Sequence, residues 1–217
     1  MSSLRDELES VGVAISARMA DKNAAREKAL AKSRDVIRLS ANAIRAVHRG
    51  ELPRTIELLA TAKGLLADTD LVRSSHPDIF YAGYLQDAQK EYAEACTTFA
   101  LVSGEPLPGP EELGVGDAPY LNGLGETVGE IRRYLLDMLR RGEVDGCEAL
   151  LRAMDDIYSL LVTIDYPDAM TGGLRRTTDN ARGILERTRG DVTIAITNWR
   201  LERRLEALDD NGTRRIS

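Results

Sequence analysis

Two cysteines in 217 residues leave little with which to staple a fold. Cys96 and Cys147 each stand alone in a stretch of helical spacing, which points away from a disulfide and toward a reducing, cytoplasmic setting. Aromatic residues make up only 5% of the chain, so a core has to be built from Leu, Ile, Val and Ala. Histidine occurs twice, at His48 and His76, and no Ser/His/Asp or Cys/His set suited to nucleophilic catalysis can be assembled. No apolar run reaches the ~18 residues of a membrane-spanning helix. The start, Met1-Ser2-Ser3-Leu4-Arg5-Asp6, has no secretory leader pattern. A membrane partner is therefore not expected. The seven prolines fall mostly at segment boundaries, and the apolar/polar alternation of strands is scarce, which argues against a sheet protein.

What remains is 43% hydrophobic residues at helical spacing, and this predicts an all-α, single-domain bundle of seven helices. A very long first helix covers 2–48, with a possible break near Gly12; Val11, Ile15, Met19, Leu30, Ile37, Ile44 and Val47 recur along it. Gly50 ends it, and Pro53 opens a second helix to about 68 with Ile56, Leu59, Leu65 and Leu66 inward. A third runs over 77–103, a fourth from Asp117-Ala118-Pro119 to Arg141, and a strongly amphipathic fifth ends at Tyr166-Pro167. The sixth covers 173–188 and the seventh 191–208, with Trp199 read as core. The helical domain is expected over 1–209, and 210–217 as a disordered tail.

Charge is uneven. Residues 1–64 hold 12 Lys/Arg against 8 Asp/Glu, residues 65–171 hold 7 against 20, and residues 172–217 hold 10 against 7. Basic ends can hold phosphates while an acidic middle holds a cation. Within that middle, Glu91 and Glu94 lie three apart on a helix face otherwise lined by Tyr84, Ala88 and Ala95. Carboxylates facing an apolar interior need a proton, a partner or a metal. A second pair, Glu126 and Glu130, sits four apart on the next long helix, among Gly123, Gly125 and Gly129. Glycine costs helix stability there and permits close backbone approach. These glycines lack the strand and spacing of a phosphate-binding loop. Two acidic pairs on adjoining helices can converge on one ion, and an all-oxygen set suits Mg²⁺ or Mn²⁺. Solvated helix glutamates are the plainer reading of the same residues. His48 reads as a cap at the end of the first helix and His76 as a turn residue.

Several motifs, in order, resemble the translin and translin-associated factor X family. Ser33-Arg34-Asp35 with His48-Arg49 is similar to a first-helix motif of the factor X branch. Gln89-Lys90-Glu91-Tyr92-Ala93-Glu94-Ala95 resembles that branch's LQEYVEA, and Tyr120-Leu121 through Gly123, Glu126, Gly129 and Glu130 resembles its YLLGxxDLTGE. Gly142-Glu143-Val144-Asp145, then Leu151-Arg152, Asp156 and Ser159, continue the series, so residues 30–165 carry the likeness and the last helices carry it weakly. The resemblance implies a seven-helix fold and an octameric assembly that binds single-stranded RNA, with single-stranded DNA as a further candidate partner. It also implies a Mg²⁺-dependent endoribonuclease whose catalytic acids match Glu91, Glu94 and Glu126. Glu126 stands where the motif has Asp, and Tyr81–Lys90 holds one basic residue where translin has a basic, aromatic segment. A short chain with a simple tail suggests an archaeal homo-oligomer.

The expectation is thus a Mg²⁺- or Mn²⁺-dependent ribonuclease. Glu91, Glu94 and Glu126 are its ligands, Glu130 is auxiliary, and Arg34, Arg38, Arg45 and Arg49 contact RNA. The alternatives are a non-catalytic single-stranded nucleic-acid-binding protein, an all-α nucleoside triphosphate pyrophosphohydrolase, and a purely structural bundle.

Overall fold

The computed structural model describes residues 3–213, apart from the side chains of residue 71 and of residues 207–213. Among the described residues every regular element is helical, as expected. Six long helices carry the architecture: α1 (Leu4–His48), α2 (Leu52–Ala67), α5 (Gly83–Ser103), α7 (Asp117–Arg140), α8 (Cys147–Thr163) and α10 (Leu174–Thr213). Short turns of helix join them: α3 (Asp70–Ser75), α4 (Pro77–Phe80), α6 (Pro110–Leu113) and α9 (Asp168–Thr171). No helix among the described residues is long and apolar enough to cross a membrane.

Helix boundaries differ from expectation in three places. α1 runs unbroken through Gly12, started by a capping box between Ser3 and Asp6. The expected third helix is interrupted at Tyr81-Ala82, which separates α4 from α5. The expected sixth and seventh helices are one rod, α10, passing through Gly190. A single helical glycine costs about 1 kcal/mol, too little to break a helix that is otherwise continuous. α10 also continues to Thr213, into the stretch expected as tail; residues 214–217 lie outside the described residues.

The second half of α1 packs on α2 and α5, α5 packs on α7, and α7 packs on α8 and α10. One apolar cluster runs through these contacts, from Val36 and Ala43 through Tyr92 and Leu124 to Met154 and Leu185. On α2, Thr55, Leu58 and Ala62 join Leu59 and Leu66 inside, and Ile56 is exposed. A second, small cluster of Ala29, Ile79, Phe80 and Leu85 pins the middle of α1 to α4 and the start of α5. Trp199 is half-buried rather than core, because α10 leaves the body after Ile196; the Arg203 guanidinium lies 5.2 Å from its ring centre. Both cysteines are free and buried.

The α5–α7 contact fixes the positions of the acidic residues. A Cβ at Gly123 would come within 2.5 Å of the Lys90 carbonyl oxygen and 2.9 Å of the Glu94 backbone nitrogen, so only glycine lets the two backbones meet here. One turn on, the Thr127 and Thr97 hydroxyls bond at 2.6 Å across the same seam, and Thr127 also donates to the Gly123 carbonyl at 3.0 Å. Gly125 plays the same part toward α10 and α8, where a Cβ would meet Thr177 Cγ2 at 2.5 Å. Gly129 is different: a Cβ there meets only Ile184 Cδ1 at 3.8 Å. We therefore expect Gly123→Ala to lower stability by about 2 kcal/mol, as overpacking against backbone outweighs the helix propensity gained. Gly129→Ala should raise stability by up to about 1 kcal/mol. Urea unfolding midpoints of the two variants check both signs.

Candidate metal centre

Glu91 and Glu94 leave α5 one turn apart, and Glu126 leaves α7 one turn beyond the Gly123 crossing. The three carboxylates each offer an oxygen within 4.8 Å of the other two. Glu94 is buried at 8% exposure, whereas Glu91 and Glu126 are half-buried. Burial drives the proton affinity of Glu94 from an ordinary value near 4.5 up to about 8. The negative charge of Glu126, Glu91 and Glu130 adds to the effect, and Lys90 opposes it.

The fourth expected acid, the auxiliary one, lies beside the trio and has a partner of its own. Glu130 Oε2 lies 2.5 Å from His48 Nε2, and Arg133 approaches at 3.9 Å. The hydrogen bond from His48 holds the Glu130 carboxyl below its usual range despite burial. His48 is therefore not a solvent-facing cap at the end of α1. Its ring is buried against α7, 6.3 Å from the Tyr134 ring, with Nδ1 lacking a hydrogen-bond partner among the described residues. His76 sits between α3 and α4, its Nε2 3.3 Å from Asp21, in keeping with a turn residue.

Lys90 is the member of the site that spacing did not reveal. Its Nζ donates to both Glu126 oxygens, at 2.8 and 2.7 Å, and lies 3.3 Å from Glu91 Oε1. Burial opposes the charge, yet the hydrogen bond and charge of Glu126, helped by Glu91, hold the ammonium above its ordinary pKa. The sequence contained a signal: Lys90 adjoins Glu91 and is the one basic residue of Tyr81–Lys90.

Lys90 and Glu126 form part of the wall of a groove of about 980 Å³, which continues past Asn122 to Arg176 on α10. Asn122 braces that wall: its amide donates to the Thr171 carbonyl at 2.7 Å, and its carbonyl accepts from Thr177 at 2.7 Å. Of the four arginines expected to contact RNA, Arg34, Arg38 and Arg45 are exposed on α1 and Arg49 is exposed at its C-cap. Arg38 bonds Asp35 at 2.8 Å, Arg45 bonds Asn42 at 2.5 Å, and Arg49 grips both oxygens of Glu51.

The donor set fits a hard divalent ion. Every donor is a carboxylate oxygen, the three come from two helices, and burial together with the neighbouring carboxylates makes the most buried of them costly to ionise without a cation beside it. The same cost gives a testable sign. Because Glu94 binds its proton more tightly folded than unfolded, its contribution to stability is full below pH about 4.5 and is lost as pH rises through about 8. In chelator, the melting temperature should fall over that interval, and it should fall less in Glu94→Gln. Added Mn²⁺ should raise it most at the alkaline end. Thermal melts across pH measure all three.

No family model matches the chain. Over 194 residues it is 29% identical to an uncharacterized protein of Methanocaldococcus jannaschii, covering 87% of this chain and 84% of that one. Among solved structures, AfC3PO in complex with duplex RNA aligns at a TM-score of 0.80 and 33% identity, over 88% of this chain and 97% of that one. AfC3PO alone aligns at 0.79 and 33%, over 88% and 98%. Apo-NeC3PO, at 19% identity, shares the fold with a TM-score of 0.75 over 90% of this chain and 98% of its own. With one residue in three identical to AfC3PO along nearly its whole length, this chain belongs to the translin/C3PO family.

Proposed function

We propose that the chain is a metal-dependent endoribonuclease, with Glu91, Glu94 and Glu126 as the ligands of Mg²⁺ or Mn²⁺. The observation that carries this reading is the trio itself, with one oxygen of each carboxylate within 4.8 Å of the others across the α5–α7 seam. A divalent ion bound there supplies Lewis acidity to a phosphoryl oxygen and lowers the pKa of a bound water. The protein's own groups supply the rest. The groove lined by Lys90, Asn122 and Arg176 would receive an extended strand, with Arg176 toward a phosphate; Asp87, Asp117 and Asp168 also line it, so the ion would have to offset their charge. A carboxylate of the trio that keeps one oxygen free of the ion would be placed to take a proton from the attacking water. The pyrophosphohydrolase alternative is less well served, because Glu130, the second acid it needs on α7, is engaged by His48.

AfC3PO was solved with duplex RNA, so both strand forms are worth testing. With Mg²⁺, we expect cleavage of a labelled single-stranded RNA to exceed that of the duplex. Glu91→Ala or Glu94→Ala should slow it by about 100-fold or more, on the scale of losing a catalytic group. Gel-shift binding in chelator should survive either change. Glu91→Ala cleaving at the wild-type rate would remove the assignment, and binding without turnover under any divalent ion would favour the purely RNA-binding reading.

We also propose that the protein acts as a homo-oligomer, the octamer being the form implied by its resemblance. Leu4, Leu8, Val11, Ile15 and Met19 recur every three or four residues on α1, all 46% or more exposed in the protomer. A stripe of this kind along an unpacked helix is what a partner helix covers. Leu8→Glu combined with Ile15→Glu should lower the mass seen by analytical ultracentrifugation and leave the helical content unchanged.

A further inference from the structure

We propose that Lys90 is a tethered stand-in for the metal, which a divalent ion displaces and which then holds a phosphate of the bound RNA. This rests on the metal-site reading above. Without a metal, the acidic cluster already contains a cation. The Lys90 ammonium contacts both oxygens of Glu126 and one oxygen of Glu91, two of the three carboxylates that would ligate the ion. At 2.7–2.8 Å from both Glu126 oxygens it occupies the face of that carboxylate from which an ion would coordinate. An ammonium and a divalent ion on the same carboxylate repel each other, so the two are exclusive rather than additive. The protein gains a site that does not fly apart from its own charge, and the metal has a competitor that never diffuses away.

The displaced ammonium has a place to go. Lys90 is a wall residue of the groove that continues to Arg176, and its side chain is 23% exposed, so rotation about its own stem brings Nζ into the groove without moving α5. There it joins Arg176 as the second cation of a groove that Asp87, Asp117 and Asp168 also line, so its arrival makes that wall less acidic toward a phosphate. Metal loading and substrate affinity are then coupled through one side chain: the ion that completes the centre also frees a lysine for RNA.

Calorimetric titration with Mn²⁺ separates this from an inert ion pair. If the lysine-free state of the cluster is populated about a tenth of the time, Lys90→Met should bind Mn²⁺ about tenfold tighter than wild type. Lys90→Arg, which keeps the charge, should stay weak, and circular dichroism verifies that both variants fold. Binding of a 2′-O-methyl RNA, which resists cleavage, reads the second half. At saturating Mn²⁺, Lys90→Met should bind it more weakly and with a salt slope smaller by about one ion, while in chelator the two proteins should bind alike. Equal Mn²⁺ affinity in wild type and Lys90→Met overturns the inference and leaves the metal site standing. Equal RNA binding at saturating Mn²⁺ overturns the phosphate step. Absence of Mn²⁺ binding in both proteins overturns the metal reading and this inference together.

Discussion

The backbones of α5 and α7 touch at Gly123, and the rest of the centre follows from that contact. Two helices separated by ordinary side chains run 8–10 Å apart between axes. Their glutamates would then reach toward one another across a gap filled by water or by other side chains. With no Cβ at Gly123, the Lys90 carbonyl and the Glu94 amide lie against α7 itself, and the carboxylates one turn away are brought within a few ångströms. The threonine pair beneath them, Thr97 and Thr127, locks the register with a buried hydroxyl–hydroxyl bond. The acidic residues are therefore positioned by rigid helices rather than by loops, which is how a site with little tolerance for displacement is best held.

Such an approach concentrates negative charge, and the structure disperses it in three different ways. Glu94 takes a proton, Glu126 and Glu91 take the Lys90 ammonium, and Glu130 takes the His48 ring. Each solution suits its depth. The most buried carboxylate is neutralised by the smallest possible cation. The half-buried pair uses a flexible side chain with one end in the groove. Glu130 is tied to a ring that belongs to α1, so three helices meet at this cluster.

Much of this was legible in the sequence. The all-α class, the four glutamates and the glycines between them could be read from helical spacing, because a three- or four-residue interval states which residues share a face. The same interval does not say what each face meets. Glu126 and Glu130 share a face of α7, yet one looks to α5 and the other to α1, a partition set by tertiary packing. Lys90 went unrecognised because it is adjacent to Glu91 rather than one turn away; its long stem bends back across the seam to Glu126. The joined α10 was hidden by Gly190, and the exposure of Trp199 by the point where α10 leaves the body, since local propensity records neither. Of the four arginines expected to contact RNA, three have a side-chain partner on α1 or just past it, which residue type and spacing do not reveal.

α1 is one uninterrupted rod of 45 residues, and at 1.5 Å per residue it spans about 68 Å. Its residues 4–18 are all exposed, and its last residue, His48, is the ring that clasps Glu130 beside the acidic trio. No break in the helix separates the two ends. Whatever grips the far tip of this rod is thereby fixed in rotation and height relative to the chemistry at its base, so the spacing between neighbouring centres in any assembly built on those tips is set by the length of a single helix.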